Sequence, residues 1–556
     1  MTKYIFVVGG VLSGVGKGTV TASLGTILQS KGFRITAMKV DPYVNVDAGT
    51  MNPTEHGEVF VTDDGDECDQ DIGSYERFIG TTLGKINYMT TGRVYRSVIE
   101  RERNLEYKGK CVEVVPHIPE EIIRRIDAAQ KATKAEIVLI EVGGTVGEYQ
   151  NVLFLEAARM MKQERPGDVL SILVSYLPIP GHLGEMKTKP TQHATKLLQG
   201  AGIQPDFIFA RGSQELDAPR RRKLATFCNV GPDDVISAPD VPSTYHVPVN
   251  FEQLGVGDRA LKKLGLRARK SDMRQWKAMV RTSQTAQDEV RIAIAGKYFS
   301  TGDFVLADVY LSVIEAVKHA AWAQKRKPVL EWLNTEEYER DAKKLRELDK
   351  FDGVIIPGGF GTRGVEGKIR AIQRLREKQI PYLGICYGMQ LACVEYGRNV
   401  LGLVDAASTE MNPKTTHPVV ALMDEQKAKL AKSDYGGTMR LGAYPCRIAN
   451  GTQAAAAYRG SSFVLRERKN GDLSISERHR HRYEFNNVYR KRFEKAGLVF
   501  SGINPDMDLA EIIELPKNVH PYFIGAQFHP EFKGSPLNPH PLFRGLVKAA
   551  VKRRKG

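Results

Sequence analysis

With 556 residues, 42% apolar and 26% charged, the chain is too long for one hydrophobic core and reads as an ordinary folded protein of roughly two to four domains. No run of about 18 apolar residues is free of charge, which excludes a spanning helix, and Met1-Thr2-Lys3-Tyr4 shows neither a signal-peptide layout nor a lipidation motif. The formal charge of +15 fits a basic surface or acidic small substrates such as nucleotides, and the clusters Arg220-Arg221-Arg222-Lys223 and Lys552-Arg553-Arg554-Lys555 lack the interleaved aromatics of a single-strand binder.

In chain order, apolar runs predict strands over 4–8, 35–40, 136–141, 169–176, 206–210 and 235–236, with helices over 19–31 and 189–199 among them. That alternation predicts an α/β, doubly wound domain whose ligands gather at the carboxyl ends of its strands. Strand 4–8 runs into Gly9-Gly10-Val11-Leu12-Ser13-Gly14-Val15-Gly16-Lys17-Gly18-Thr19. Glycines let successive N–H groups turn toward phosphate oxygens, and the helix N-terminus and Lys17 add positive charge. The loop departs from the standard P-loop: five residues separate Gly10 from Gly16, and Gly18 stands where Ser or Thr is usual. It resembles the dethiobiotin synthetase and MinD-like branch. A phosphate site needs Mg²⁺, for which Glu141, at a strand end, and Asp71, in the acidic run 63–71, are the candidate carboxylates. Lys187-Thr188-Lys189-Pro190-Thr191-Gln192, just ahead of a helix, offers cations, hydroxyls and an amide suited to a triphosphate.

Near residues 265–288 the chain turns polar, and a second set of strands is predicted over 290–295, 329–333, 353–356 and 382–385. Residues 459–476 read as a loop or ribbon with a turn at Lys469-Asn470-Gly471-Asp472. Six cysteines (Cys68, Cys111, Cys228, Cys386, Cys393, Cys446) show no CxxC pair or zinc spacing, which points to a reducing, cytoplasmic setting. Gly384-Ile385-Cys386-Tyr387-Gly388 is the thiol counterpart of a G-x-S-x-G nucleophile elbow, with a helix start beside the sulfur. His529 follows a strand and Glu531 lies two residues on, so base and orienting carboxylate can share a face. Pro357-Gly358-Gly359-Phe360-Gly361 and the Tyr387 N–H supply candidate oxyanion donors.

PGGFG, GICYGMQ and FHPE in that order resemble a triad-type, class I glutamine amidotransferase. VVGGVLSGVGKG, MKVDPYVNVDAGTMNPTEHGEVFVTDDG, EVGGTVGE, GEMKTKPTQH, FCNV and RHRYEFNN resemble the P-loop amidoligase family of the CTP synthases. The resemblance implies two doubly wound domains, an amidoligase over 1–268 and a glutaminase over 289–556, with a linker over 269–288. It implies ATP at Gly14, Val15, Gly16, Lys17, Gly18 and Thr19, adenine near Arg211 and Val241, and Mg²⁺ on Asp71 and Glu141. Lys39 and Lys17 would neutralise the phosphoryl group in flight. UTP, and CTP as feedback inhibitor, would meet Ser13, Lys187, Thr188, Lys189, Pro190, Thr191, Gln192 and Lys223, with Glu148 near the CTP ring. L-glutamine would meet Gly359, Gln390, Glu410 and Arg482 beside the triad Cys386, His529 and Glu531. GTP would activate near Gly436-Gly437-Thr438-Met439-Arg440, and an internal channel would carry ammonia. The family further implies a homotetramer, with filaments open, and neither nucleic acid nor membrane as partner. Glu148 and Gln150 depart from the family's usual residues after GGTVG. The alternatives are another amidoligase, such as a cobyrinic acid diamide synthase, or a non-enzymatic MinD-like switch or filament scaffold.

Overall fold

The computed structural model describes residues 2–51, 57–181, 184–296, 300–301, 304–305, 307–359, 361, 363–422 and 439–555. The chain divides into two compact units, Met1–Thr50 with Cys68–Val280, and Met51–Glu67 with Arg281–Gly556.

The first unit is built on a parallel sheet of β1 (Lys3–Gly10), β2 (Ile35–Asp41), β3 (Tyr88–Thr90), β4 (Ile137–Val142), β5 (Val169–Tyr176), β6 (Phe207–Gly212) and β7 (Val235–Pro239). Their order is β3-β2-β4-β1-β5-β6-β7, every neighbouring pair parallel. Helices cover both faces, so a strand such as β4 is buried at every position and reads as an uninterrupted apolar run. The chain leaves β1 toward β2 on one side and later lays β5 on the other, which makes the carboxyl end of β1 a switch point where a ligand crevice forms. Two features there meet directly: helix α1 (Lys17–Ser30), which follows the glycine loop, and Glu141 near the end of β4. The polar stretch after residue 268 contains helix α2 (Arg274–Thr285), whose Trp276, Met279 and Val280 are buried. Trp276 lies 5.3 Å from the Phe78 ring and its Nε1 donates to the Tyr245 carbonyl at 2.9 Å.

The second unit carries β8 (Glu289–Gly296), β9 (Lys327–Asn334), β10 (Gly353–Ile356), β11 (Tyr382–Ile385), β12 (Arg440–Ile448), β13 (Arg466–Glu467), β14 (Leu473–His481), β15 (Val499–Ile503), β16 (Ala510–Glu514) and β17 (Phe523–Ala526). The order is β9-β8-β10-β11-β17-β16-β15-β12-β14-β13. The side from β9 to β17 is parallel, as the alternation of strands and helices predicts, and the remainder is antiparallel. The expected ribbon over 459–476 includes β13 paired with β14, closed by a turn in which Arg468 N donates to Asp472 O at 2.8 Å. Residues 57–67 belong to this unit through contacts of their own: Phe60 packs edge-on against Phe532 at 5.0 Å, Arg480 Nε donates to Glu67 Oε1 at 2.8 Å, and Ser312 N donates to Glu58 Oε2 at 3.1 Å. Among the described residues no helix is long and apolar enough to cross a membrane.

Candidate functional site

The thiol centre of the second unit begins with backbone. Cys386 joins β11 to helix α3 (Tyr387–Asn399) at φ 52°, ψ −102°, a left-handed conformation that a non-glycine residue adopts only when its surroundings impose it. The surroundings are tight: a Cβ at Gly384 would strike the Tyr382 hydroxyl, and one at Gly388 would strike the Ile356 carbonyl. The Cys386 N–H is fixed to Ala526 O at 2.7 Å. The sulfur thus stands at the strand end, where the helix N-terminus favours negative charge.

Beyond β17 the extended chain turns Gln527 and His529 to one face. His529 Nδ1 is 2.7 Å from Glu531 Oε1, while Nε2 is buried without a hydrogen-bond partner among the described residues. Burial drives this imidazole down, but the charges of Glu531 and Cys386 outweigh it and push it up to about 10. Phe532 stacks on the ring at 5.0 Å and 12°. Cys386, His529 and Glu531 line one cavity with Gly358, Gly359 and Arg480. A thiol, an imidazole and a carboxylate grouped in this way can serve as nucleophile, base and orienting group in covalent acyl transfer.

Of the expected glutamine contacts, Gly359 lines this cavity. Gln390 is buried one helical turn after Cys386, and its Nε2 donates to Tyr483 O at 2.8 Å and to Gln527 Oε1 at 3.2 Å. With both donors engaged, its carbonyl oxygen is left to accept from a substrate N–H. Glu410 Oε1 accepts from Gly361 N at 2.9 Å, and the charges of Glu410 and Arg482 both act on Tyr483. Gly436, Gly437, Thr438 and Phe360 lie outside the described residues. Arg440, the last residue of the expected GTP stretch, is buried, with its guanidinium on Glu484 at 2.8 Å and Glu511 at 2.9 Å.

In the first unit, Gly14 and Gly16 take φ of 69° and 90° and curl the loop between β1 and α1. Lys17 is buried, donates to Gly144 O at 2.7 Å, and is lowered from its ordinary range by burial. Lys39 Nζ contacts Asp71 and lies 3.3 Å from Glu141 Oε1, 3.6 Å from Asp41 and 3.8 Å from Asp69. Burial opposes that ammonium, yet the surrounding carboxylates hold it well above its ordinary range. Glu141 is itself raised, by burial and by Asp71, and its Oε2 accepts from the Tyr75 hydroxyl. Asp71 and Glu141 offer the hard oxygens that Mg²⁺ prefers, and a Cβ at Gly18 would lie 2.5 Å from Asp71 Oδ1. Among the described residues no group of three or more His, Cys, Asp or Glu is placed to hold a metal ion.

Beside the loop, a cavity of about 210 Å³ is lined by Gly16, Thr19, Arg211, Asp240 and Val241. Arg211 is held across it, donating to Ala238 O at 2.8 Å and Asp240 Oδ1 at 2.8 Å. In the 187–192 segment, Thr188 immediately precedes helix α4 (Lys189–Gly200) and accepts from Gln192 Nε2 at 3.1 Å, and Thr191 Oγ1 meets Ser175 Oγ at 2.8 Å. Lys187 is tied to Glu185 at 2.7 Å, whereas Ser13, Lys189 and Lys223 are exposed. Glu148 shapes its own loop, accepting from Thr145 N at 2.9 Å and Gln150 Nε2 at 2.7 Å.

Sequence reading missed Gln527, whose Nε2 lies 3.8 Å from Cys386 Sγ. It also missed Asp41, Asp69 and Tyr75, which surround Lys39 and Glu141. Asp41 ends the predicted strand 35–40, and Asp69 shares the acidic run of Asp71, so position carried a signal for both; for Gln527 and Tyr75 it carried none.

The family described as CTP synthase N-terminus matches residues 3–266, and the family described as glutamine amidotransferase class-I matches residues 305–549. The CTP synthase of Pyrococcus abyssi is 50% identical over 552 residues, covering 99% of this chain and 98% of that protein. The CTP synthase of a Synechococcus species is 47% identical over 555 residues, covering 100% and 98%. The glutaminase domain of Trypanosoma brucei CTPS with bound acivicin is 36% identical, covering 47% of this chain and 94% of that one, with a TM-score of 0.42. Matching both models in this order, and its relatives along its whole length, the chain belongs to the CTP synthase family.

Proposed function

We propose that the chain converts UTP to CTP, driven by ATP and using ammonia released from L-glutamine in its own second unit. The observation that carries this reading is the joint presence, in one chain, of a buried Cys386–His529–Glu531 arrangement and a glycine loop with Lys17 beside Lys39, Asp71 and Glu141.

In the second unit Cys386 Sγ attacks the glutamine carboxamide, and the Gly359 and Tyr387 N–H groups hold the oxyanion. His529 Nε2 gives its proton to the leaving ammonia, then takes one from the water that frees glutamate from the thioester. Glu531 keeps the imidazole oriented, and Gln390, Glu410 and Arg482 grip the substrate.

In the first unit the 210 Å³ cavity takes adenine against Arg211 and Val241, and residues 14–19 take the phosphates. The O4 of UTP attacks the γ-phosphorus, and Lys17 and Lys39 neutralise charge on the group in transfer. Asp71 and Glu141 would hold Mg²⁺, which supplies charge neutralisation on the phosphates when bound. Ammonia then adds at C4 and phosphate leaves. Ser13, Lys187 to Gln192, and Lys223 hold the triphosphate of UTP or of CTP as inhibitor, with Glu148 at the ring. GTP as activator, a cytoplasmic setting and a homotetramer complete the proposal.

Incubation with UTP, ATP, Mg²⁺ and glutamine gives the absorbance change of CTP formation. Cys386→Ala abolishes that reaction with glutamine and retains it with ammonium. Glutamine-driven CTP formation by the Cys386→Ala protein sinks the triad assignment, and absence of UTP amination with either nitrogen source sinks the whole reading.

A further inference from the structure

The second unit holds a large groove that this chemistry does not use. It has a volume of about 1040 Å³, and the residues lining it include Lys378, Lys517, Arg544, Lys548, Lys552 and Arg553 but no Asp or Glu. No ion pair engages any of these six among the described residues, while a seventh lining cation, Arg459, pairs with Glu467 at 3.3 Å. Arg544, Lys548 and Lys552 follow one another at four-residue spacing on helix α5 (Pro541–Lys555), which sets them in a stripe about 6 Å apart along the axis. The same helix shows that the missing acids are a property of this face. Arg554, turned elsewhere, meets Asp352 at 3.4 Å and Glu289 at 4.0 Å.

We propose that this groove binds a linear phosphate polyanion. Regularly spaced, unpaired cations suit a chain that carries a charge at every unit, and each phosphate bound releases counterions. The one aromatic residue lining the groove, Tyr522, is only 4% exposed, so nothing there stacks on bases. A second copy of the chain, itself at +15, is a poor occupant. The occupant is inorganic polyphosphate, because the groove lacks the aromatic platforms on which a single-stranded nucleic acid stacks its bases.

The test is fluorescence anisotropy with an end-labelled inorganic polyphosphate, competed by unlabelled polyphosphate, by oligothymidylate or by polyglutamate, over a salt series. For about five phosphate contacts the log–log salt slope is about −3.5. The triple variant R544E/K548E/K552E weakens binding at least about tenfold and flattens that slope by about 2. The neutral variant R544Q/K548Q/K552Q shows a smaller loss in the same direction. Both retain glutamine-driven CTP formation, which reports that they are folded. A control, K110E/K131E/K277E, changes the net charge equally at exposed sites in the first unit and leaves binding as it was. Competition by polyphosphate and not by oligothymidylate is the expected result, and equal competition by oligothymidylate overturns the inorganic assignment. The proposal is overturned if the control loses as much binding as the groove variant, if R544E/K548E/K552E binds like the unaltered protein, or if polyglutamate competes as well as polyphosphate.

Discussion

Replacing Glu531 by Gln isolates the charge that governs the thiol centre. In the folded chain Glu531 Oε1 lies 2.7 Å from His529 Nδ1, with both side chains nearly excluded from solvent. Gln keeps the shape and one acceptor and removes the charge. A hydrogen bond to a charged group contributes about 1.5–3 kcal/mol, so glutamate release from glutamine falls by about 10- to 150-fold. The same charge is the main force raising the imidazole to about 10 against burial. Because the folded value lies above the unfolded value of about 6.5, the associated stabilisation is full below about 6.5 and is lost as pH climbs through about 10. The difference in Tm between the unaltered protein and E531Q is therefore open near neutral pH and closes in strong alkali. Ammonium-driven CTP formation uses none of these atoms and stays unchanged. Glutamate release, ammonium-driven synthesis and melting at two pH values are all measurable on the same preparations. The reasoning is refuted by a loss of glutaminase activity below about threefold, by a Tm gap that widens with rising pH, or by a parallel loss of ammonium-driven synthesis.

Gln527→Met removes the N–H lying 3.8 Å from Cys386 Sγ and the acceptor that fixes Gln390 at 3.2 Å. Steady-state kinetics should show glutamine-driven kcat down about tenfold or more, KM for glutamine raised, and ammonium-driven rates intact. Gly18→Ala places a Cβ 2.5 Å from Asp71 Oδ1, so the carboxylate must shift. ATP-dependent synthesis from ammonium falls sharply while basal glutamate release persists. Trp276→Ala empties the aromatic cluster with Phe78 and Tyr245, and denaturant unfolding should show about 3–5 kcal/mol lost.

What the sequence made legible follows from how each segment is buried. The strands of the first sheet lie between two helical layers, so Val169–Tyr176 announces itself as an apolar run. Tyr88–Thr90, three residues beside β2, is too short to show a period. In the second unit Leu473–His481 reads as polar, because His479 and His481 turn into a buried cluster with Arg440, Glu484 and Glu511. There buried polar side chains replace the apolar ones that would have marked a strand. Helix Arg274–Thr285 buries Trp276, Met279 and Val280 and exposes much of the rest, so its stretch reads as a polar linker. Cys386 and His529 were legible through the glycines and strand ends that present them. Gln527 is an unremarkable amide until Cys386 and Gln390 are placed on either side of it.

The acidic run 63–71 shows why local reading has a limit. Its residues look alike in sequence, and a solvated loop is the natural expectation for them. In the fold they divide. Asp63 accepts from Arg478 Nε at 2.5 Å and Glu67 from Arg480 Nε at 2.8 Å, partners more than 400 residues along the chain. Four residues beyond Glu67, Asp71 contacts Lys39, with Glu141 on the other side of that ammonium. Arg478 and Arg480 alternate along β14 with His479 and His481, so the strand whose polar pattern concealed it is also the one that claims Asp63 and Glu67. A carboxylate's role is set by which cation the fold delivers to it, and that cation is named only by pairings that close over hundreds of residues.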